Sequence, residues 1–380
     1  MASSFDQYVN RKDSGSVKWN RYADDVLPLW VADMDFLSPP PVIKALSERV
    51  KHGVYGYPEI QQSTKDSVVD WLWKEHNWSV TGEDLVFLPG VVVGFNLAAH
   101  ALTKPGQGVL VQTPTYRPFL NVSGHAKIEQ HEIPLDRNKG GKYLVRKTTF
   151  NHAIQENTQI FMLCNPQNPT GRVFSKAELE MMAETCLKNK IFICSDEIHS
   201  DIIYSQNEHI PIATLSPEVA KRTITLLSPS KTFNIAGLKA SYAVITNSEL
   251  RERFIAGKQG LVGGLNLFGQ TALRASYTEG KAWLEELLIY LENNRNFLFD
   301  FVSTKLDSVS MVSPEGTYLA WLDCRETGIE VPQEYFLKDA KVALNPGNWF
   351  GKPGEGFVRL NFACPRKTLR EGLDRLAHSL

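Results

Sequence analysis

The segment "TITLLSPSKTFNIAGLK", residues 223–239, joins an apolar run to a polar stretch with two serines, two lysines and a glycine. Its first five residues are typical of a strand buried on both faces, because the run is continuous rather than alternating. Ser228 and Lys231 then form a Ser-x-x-Lys pair, which is compatible with two chemistries. Either the lysine activates a serine nucleophile, or the lysine itself reacts while the serine holds a cofactor.

Six further apolar runs between residues 83 and 248 have the same character and alternate with segments of helical pattern. Continuous apolar strands indicate a mainly parallel sheet covered by helices on both faces. The sequence therefore predicts an α/β fold whose large domain has a seven-stranded sheet. The six runs are "LVFL" (85–88), "GVLVQ" (108–112), "IEQHEI" (128–133), "IFMLCN" (160–165), "IFICSD" (191–196) and "ASYAVIT" (240–246).

One segment between these strands illustrates the predicted helices. Ser175 and Glu178 have the spacing of a capping box. Apolar residues then recur with helical spacing, which predicts a stripe that packs on the sheet. The stripe consists of Leu179, Met182, Ala183 and Cys186.

The pattern changes after about residue 280. A long amphipathic run, residues 281–306, is followed by short strand-like runs separated by turns, which predicts a smaller α+β domain. We therefore divide the chain into an N-terminal segment (1–45) that packs with the small domain, a large domain (46–275) and a small C-terminal domain (276–380).

The composition indicates a soluble globular protein that acts on a small molecule. The chain has 380 residues, 43% hydrophobic and 22% charged, and its 41 basic and 42 acidic residues give a net charge of -1 without a basic block. The sequence therefore lacks the basic clusters that are typical of proteins that bind nucleic acids or membranes. Five cysteines without a C-x-x-C motif favour neither a disulfide framework nor a zinc site. With no apolar signal core, we expect a cytoplasmic location.

In open α/β sheets, ligands bind beyond the carboxyl ends of the strands. Five of the predicted strands are followed by polar or glycine-containing corners. Together these corners supply a lysine, an aspartate, an asparagine, a tyrosine and a phosphate cradle, the parts needed to hold pyridoxal phosphate (PLP). The corners are "LPGVVVGFN" (88–96), "TPTYRPF" (113–119), "CNPQNPTG" (164–171), "SDEIHSD" (195–201) and "SPSKTFNIAGLK" (228–239).

Three of these corners carry "NPxNPTG", "SDEI" and "SKxxxxxGxK" in the order and spacing of a known family. Over nearly its whole length the sequence resembles the class I/II aminotransferases, fold type I of the PLP enzymes. Within that family, "LPLWVADMDF", "GVYGY", "PSKTFNIAGLK" and "FVRLNFACPR" are similar to the C-S lyase subgroup, the PatB or MalY type of cystathionine beta-lyase.

The resemblance implies a role for several residues around the cofactor ring. Lys231 matches the lysine that carries PLP covalently and later moves the Cα proton, which requires a lowered pKa. Asp196 matches the carboxylate that pairs with the pyridine nitrogen, and Asn168 the donor to the phenolic oxygen. Tyr116 matches the aromatic ring that stacks on the pyridine face. His199 stands where many aminotransferases have a tyrosine that shares the phenolic oxygen.

The resemblance also implies a phosphate cradle and a shared active site. Helix-start N-H groups and polar side chains are suited to a phosphate. The implied cradle consists of Gly90, Val91 and Val92 with Ser228, Ser230 and Lys239. Tyr57 matches a tyrosine from the neighbouring subunit, which implies a homodimer with shared active sites.

Arg359 matches the arginine that clamps the α-carboxylate of an amino-acid substrate, for which a planar guanidinium is suited. Ala32 and Asp33 are expected to offer backbone N-H contacts nearby. Tyr318, Asn345 and Arg366 are further candidates for the substrate pocket.

Other function classes fit less well. A serine hydrolase of the Ser-x-x-Lys type would carry S-D-N and K-T-G, and a dehydrogenase would carry G-x-G-x-x-G after a strand; the sequence has none of the three. A metal site at Asp196, Glu197, His199 and Asp201 lacks a second histidine at ligand spacing. A non-catalytic regulatory protein of this fold would have lost Lys231 or Asp196, although a regulatory role beside catalysis stays open.

The harder choice is between β-elimination and transamination, which begin with the same Cα deprotonation. The subgroup resemblance favours elimination, as does the lack of an identifiable second arginine for a distal carboxylate. We therefore expect a C-S lyase that converts cystathionine, cysteine or related S-substituted cysteines to a thiol or sulfide, pyruvate and ammonia. An aminotransferase of amino acids is the alternative.

Overall fold

The computed structural model describes residues 4–380; residues 1–3 of the predicted N-terminal segment lie outside this range. The strands of the described part are, in chain order, β1 (Leu27–Pro28), β2 (Leu85–Leu88), β3 (Gly108–Thr113), β4 (Glu129–Pro134), β5 (Asp136–Arg137), β6 (Tyr143–Leu144), β7 (Thr158–Cys164), β8 (Phe192–Asp196), β9 (Thr223–Leu227), β10 (Ser241–Val244), β11 (Ser310–Met311), β12 (Leu319–Asp323), β13 (Val342–Ala343), β14 (Asn345–Pro346) and β15 (Phe357–Asn361).

The α-helices of the same part are α1 (Val17–Asn20), α2 (Pro40–His52), α3 (Gln62–His76), α4 (Val91–Leu102), α5 (Arg117–Leu120), α6 (Val122–Ala126), α7 (Lys147–Ala153), α8 (Lys176–Lys188), α9 (Pro217–Ala220), α10 (Pro229–Thr232), α11 (Ser248–Ala256), α12 (Leu267–Glu279), α13 (Lys281–Lys305), α14 (Pro332–Lys338) and α15 (Arg366–Ser379). Within the described residues, no helix combines the length and apolarity needed to cross a membrane.

The predicted seven-stranded sheet is confirmed. Its strand order is β2-β10-β9-β8-β7-β3-β4, and β10 alone runs antiparallel to its neighbours. Successive residues of β7 enter different cores: Met162 packs in the layer that includes α4, and Phe161 in the layer that includes α8. The continuous apolar runs therefore reflect burial on both faces, as expected for strands covered by helices.

Helices α8 and α4 cover the two faces. The capping box of Ser175 and Glu178 begins α8, and its predicted apolar stripe is buried. On the other face, Gly94 of α4 lies so close to the sheet that a Cβ would meet a methyl group of Leu226 at 2.7 Å. This close approach requires glycine and brings the start of α4 to the carboxyl end of the sheet.

The C-terminal region contains a four-stranded antiparallel sheet, β11-β12-β15-β14, and the long helix α13 predicted from the sequence. Strand β1 from the N-terminal segment pairs in parallel with β13, with Leu27 opposite Val342. These contacts agree with packing of the N-terminal segment against the C-terminal region; the proposed domain boundaries remain a prediction.

Candidate active site

The loops that follow the parallel strands contact one another at the carboxyl edge of the sheet. The N-H of Asn165, after β7, donates to the carbonyl of Asp196 at the end of β8 (3.0 Å). The side chain of Gln167 donates to the carbonyl of Pro114, after β3 (2.7 Å). Direct hydrogen bonds therefore join three of the five predicted corners.

Lys231 lies on the short helix α10, which begins after the side-chain cap of Ser228. Its ammonium group donates to the carbonyl oxygen of Ala32 (2.6 Å). Burial lowers the pKa of Lys231 to about 8, while the charges of Asp33 and Asp196 oppose this fall. The direction agrees with the sequence-based expectation, and part of the lysine is neutral near pH 7.

Asp196 ends β8 and is buried. One carboxylate oxygen accepts from the N-H of Ile198 (3.1 Å), and burial raises the pKa of Asp196 to about 7. No described cationic side chain forms an ion pair with this carboxylate. Asp196 is thus a buried carboxyl group with capacity for a further hydrogen-bonding or cationic partner.

His199 is also buried, and its ring centroid lies 5.7 Å from that of Tyr318. Its Nδ1 has no hydrogen-bond partner. Burial lowers the pKa of His199, and the positive charges of Lys231 and Arg359 lower it further. The imidazole is therefore neutral near pH 7 and keeps one ring nitrogen free for a ligand.

Arg359 lies in β15 and is 5% exposed. Its Nη1 donates to the side-chain oxygen of Asn168 (2.9 Å), and its Nη2 donates to that of Asn345 (2.6 Å) and to the carbonyl of Trp30 (3.1 Å). Burial lowers the pKa of Arg359 to about 10, so the guanidinium stays charged at neutral pH.

The partners of Arg359 within the described chain are all neutral. Its Nε has no hydrogen-bond partner although it is buried. A buried guanidinium without a carboxylate is costly. Arg359 is therefore equipped to accept an anionic group from a ligand.

The predicted phosphate cradle begins at Gly90, where the extended backbone (φ 175) leads into the 12-residue helix α4. A Cβ placed on Gly90 would meet no atom within 4 Å, so there is open space beside the helix start. The N-H groups of a helix start and the helix dipole favour an anion. Val91 is buried and Val92 is partly exposed beside this space.

The other predicted phosphate ligands differ in their availability. The hydroxyl of Ser228 contacts the carbonyl of Ala240 (2.5 Å) and the hydroxyl of Ser230 (2.6 Å), and the hydroxyl of Ser230 also lies 3.3 Å from the same carbonyl. A phosphate would compete with these internal bonds. Lys239 has an exposed side chain and forms no ion pair with a described residue.

Two tyrosines of the predicted site occupy different positions. Tyr116 begins α5 and is partly buried; burial raises its pKa, and the charge of Asp196 raises it further. Tyr57 is fully exposed and, together with Arg49 and Arg274, lines a surface cavity. Tyr57 can therefore fulfil its predicted role only in the active site of a second subunit.

Residues 30–36, "WVADMDF", cross the site as a segment that we call the strap. The carbonyl oxygen of Ala32 accepts from Lys231 and from the hydroxyl of Tyr318 (3.1 Å). The N-H of Asp33 donates within the strap to Val31 (2.9 Å). Carbonyl oxygens of the strap thus contact the cations of the site, and the expected N-H contacts of Ala32 and Asp33 to a substrate stay a prediction.

Sequence reasoning missed the residues that hold the strap. The side-chain amide of Asn361 donates to the carbonyls of Val31 (2.5 Å) and Asp33 (2.6 Å). The side-chain amide of Asn234 donates to the carbonyls of Met34 (3.0 Å) and Phe36 (2.8 Å). Asn361 follows Arg359 by two positions in an otherwise apolar strand, and this polar spacing was the available signal.

Arg366 and the remaining acids of "SDEIHSD" are engaged away from the cations of the site. Arg366 donates to the side chain of Asn294 (2.7 Å). The two acids are buried and each contacts a histidine: Glu197 contacts His209 (2.8 Å), and Asp201 contacts His76 (3.0 Å). Within residues 4–380, no cluster of three or more potential metal ligands is present.

The arrangement fits the cofactor expected from the sequence. Asp196 and Arg359 are buried and Lys231 is partly buried, and none of the three charges has an ion-pair partner among the described residues. His199 keeps a free ring nitrogen, and Gly90 leaves room at a helix start. PLP and an amino-acid substrate together carry an aldehyde carbon, a ring nitrogen, a carboxylate and a phosphate, which these groups can bind. The fold and site define the fold type I class of PLP enzymes.

The comparison with known families agrees with this class. Residues 24–376 match the profile described as aminotransferase class I and II. The chain belongs to this family.

Similar proteins narrow the comparison. The chain is 41% identical to cystathionine beta-lyase PatB of Bacillus subtilis, an alignment that covers 99% of this chain and 100% of PatB. The PLP-bound C-S lyase from Staphylococcus hominis superposes with a TM-score of 0.93, at 32% identity, over 100% of this chain and 98% of that one. A PLP-bound protein from Clostridium difficile 630, provisionally described as an aminotransferase, has a TM-score of 0.96 at 38% identity, over 99% of both chains.

Proposed function

We propose that this protein is a PLP-dependent C-S β-lyase. Its reaction converts L-cystathionine and water to homocysteine, pyruvate and ammonia, and related S-substituted cysteines or cysteine react in the same way. The carrying observation is that Lys231 and Arg359 contact the carbonyls of Ala32 and Trp30 in one short segment, and neither has an ion-pair partner. An α-amino acid needs both an amine-reactive lysine and a carboxylate clamp.

The chain's own residues then have distinct roles. When bound, PLP supplies an electron sink for the Cα carbanion. Lys231 holds the cofactor, and its amine accepts the Cα proton, for which a pKa near neutrality is suited. Arg359 orients the substrate through its carboxylate.

The remaining residues support the cofactor. Asp196 would pair with the protonated ring nitrogen of the cofactor, and that positive charge would lower the pKa of the carboxyl group and keep it ionised. Asn168 uses its oxygen for Arg359 and keeps its amide NH₂ for the phenolic oxygen. Tyr116 would stack on the pyridine ring, and the start of α4 with Lys239, Ser228 and Ser230 would hold the phosphate.

Elimination rather than transamination is supported by the full-length similarity to PatB. It is also supported by Arg11, which contacts the strap: Arg11 is neutralised by Asp33 (2.7 Å) and Asp35 (2.7 Å) and does not offer a second clamp for a dicarboxylate. An aminotransferase remains the second candidate, because the provisionally described relative from Clostridium difficile has nearly the same fold.

Tyr57 is our basis for proposing a homodimer. Its fully exposed ring suits donation to the phosphate site of a second copy. With a small amino acid as the substrate, we propose a cytoplasmic metabolic role.

The deciding experiment is an incubation of the purified protein with PLP and L-cystathionine, in which pyruvate and free thiol are assayed without a keto acid. We expect equal amounts of both products. Product that forms only after a keto acid is supplied would instead establish an aminotransferase. A protein that shows no visible absorbance band with PLP would refute the cofactor assignment.

A further inference from the structure

The strap contacts both cations of the site through its main chain. The carbonyl of Trp30 accepts from Arg359 Nη2 (3.1 Å), and that of Ala32 accepts from Lys231 Nζ (2.6 Å). A main-chain carbonyl binds a guanidinium more weakly than a carboxylate does, because only the carboxylate carries a full charge. A substrate carboxylate can therefore take the place of the Trp30 carbonyl on Arg359 when it arrives.

Four charged side chains, which we call the strap cluster, hold the opposite side of the strap: Arg11, Lys18, Asp33 and Asp35. Arg11 forms a two-pronged contact with Asp33 (2.9 and 2.7 Å) and also contacts Asp35 (2.7 Å). Lys18, 1% exposed, contacts the second oxygen of Asp35 (2.7 Å). Two positive and two negative charges neutralise each other there.

The cluster engages the strap backbone as well as its side chains. Arg11 donates to the carbonyl of Met34 (3.2 Å), and Lys18 lies 3.4 Å from the carbonyl of Asp33. Trp19, which is outside the cluster, also donates to Asp35 (2.8 Å). Both carboxylates of the strap therefore have well-placed donors, and the strap has little freedom to rotate.

A buried group of ion pairs is weak evidence for stability, because apolar residues of the same volume can be equally stable. What such a group supplies is geometry: the charges have low energy only in one arrangement. Here the cluster fixes Asp33 and Asp35, and Asn361 holds the carbonyls of Val31 and Asp33, so together they restrict the path of the strap beside Arg359.

We propose that the strap cluster is a positioning device for the α-carboxylate site, and that Arg11 is a positioning residue that selects amino acids over simple amines. This inference rests on the proposed function, since it assumes a cofactor-bound amino acid at Arg359. Arg11 itself touches neither Lys231 nor Arg359; it acts through the strap.

The test compares two amines on the PLP-loaded protein. L-alanine has the α-carboxylate and no leaving group at Cβ, and isopropylamine is the matched amine with a methyl group instead. The initial change in the cofactor's visible absorbance gives the dissociation constant of each amine. In the Arg11→Met variant, we expect binding of L-alanine to weaken by about tenfold, the loss of one well-placed charged hydrogen bond. Binding of isopropylamine should be unchanged.

Arg251→Met is the matched control. Arg251 is as buried as Arg11 and pairs with Asp84 (3.4 Å). Asp84 precedes β2 and so lies at the amino end of that strand, away from the carboxyl end where the site lies. This variant should bind both amines like the wild type. Kinetics with L-cystathionine should show the same separation: Arg11→Met raises KM and leaves kcat nearly constant, whereas Arg251→Met changes neither.

Arg11→Lys provides a second variant should Arg11→Met fail to fold, because it keeps a positive charge beside Asp33 and Asp35 but cannot form the two-pronged contact with Asp33. It should also weaken L-alanine selectively. An equal loss for both amines, or no loss for L-alanine, would overturn the inference. If the inference about Arg11 fails but the wild-type protein binds PLP and releases pyruvate, the proposed function is still supported. A wild-type protein without the visible absorbance band would refute both the inference and the proposed function.

Discussion

Two groups of buried charges lie side by side in this molecule. In one group, each ionisable side chain has a close acidic or basic partner: Glu197 with His209, Asp201 with His76, and Lys18 with Asp35. In the other, Asp196 and Arg359 lack an ion-pair partner among the described residues, and burial shifts both of their pKa values toward the neutral form.

Asp196 and Glu197 are neighbours in sequence and belong to different groups, so sequence position does not explain the difference. Unpaired buried charges cost free energy, whereas paired ones are largely compensated. A protein retains the first kind where a ligand completes them. We therefore propose that the unpaired group marks the cofactor and substrate site and that the paired group is scaffold.

The largest expected effect is at Lys231. Lys231→Ala removes both the attachment point of the cofactor and the proton acceptor, so pyruvate release should fall by about 10⁴-fold, the upper range for general acid-base catalysis. Lys258→Ala is the control, because Lys258 is another partly buried lysine whose pKa burial lowers. Activity that persists in Lys231→Ala, or is lost in Lys258→Ala, would contradict the assignment of Lys231 as the reactive lysine.

The neighbouring carboxylates provide a direct comparison. Asp196→Asn should lower kcat by about 10³-fold, because the amide cannot stabilise a charged ring nitrogen in a buried site. Glu197→Gln should change kcat little but lower the Tm, since it weakens the pair with His209 and the bond to Ser195 (2.8 Å). Steady-state kinetics and thermal unfolding of the two variants separate the outcomes; similar losses of kcat would remove the distinction between the two groups.

Two arginines extend the comparison. Arg359 and Arg172 are each 5% exposed, but Arg172 pairs with Glu178 (2.8 Å) and Glu315 (2.8 Å). Arg172→Met leaves Glu178 with its contacts to Ser175 and Glu315 with Lys142 and the N-H of Val173, so it should destabilise the fold by about 1–3 kcal/mol. Arg359→Met strands no charge, so it should destabilise less while kcat/KM falls by about 10²-fold through KM. Urea unfolding and kinetics measure the two effects, and the reverse ranking in stability would refute the assignment.

The sequence predicted the sheet and the unpaired charges at its strand ends better than it predicted the contacts of the strap. The strands, the cap of α8 and the positions of Lys231 and Asp196 at strand ends follow from contiguous patterns. The strap contacts do not, because Arg11 and Asp35 are 24 positions apart and Asn361 and Val31 are 330 apart. The contact of the Ala32 carbonyl with Lys231 joins residues 199 positions apart and was not predicted for the same reason.

The smallest expected effect is the pH dependence of one scaffold pair. Asp201 raises the pKa of His76 above its ordinary value of 6.5, although burial opposes the rise. The pair therefore stabilises the fold fully below pH 6.5 and less as the pH rises through the folded-state pKa. His76→Gln should lower the Tm by a few degrees at pH 6, with a smaller difference at pH 9.

Other charges near His76 are Glu197 and Glu75, and the ring of His209 lies 5.7 Å away. Asp201→Asn therefore serves as the control: it removes the charge on which the raised pKa depends, so His76→Gln should have the same effect at both pH values in that background. A Tm difference that grows with pH would show that His76 is neutral in the fold. The pair would then belong with the incompletely compensated charges of the site rather than with the scaffold.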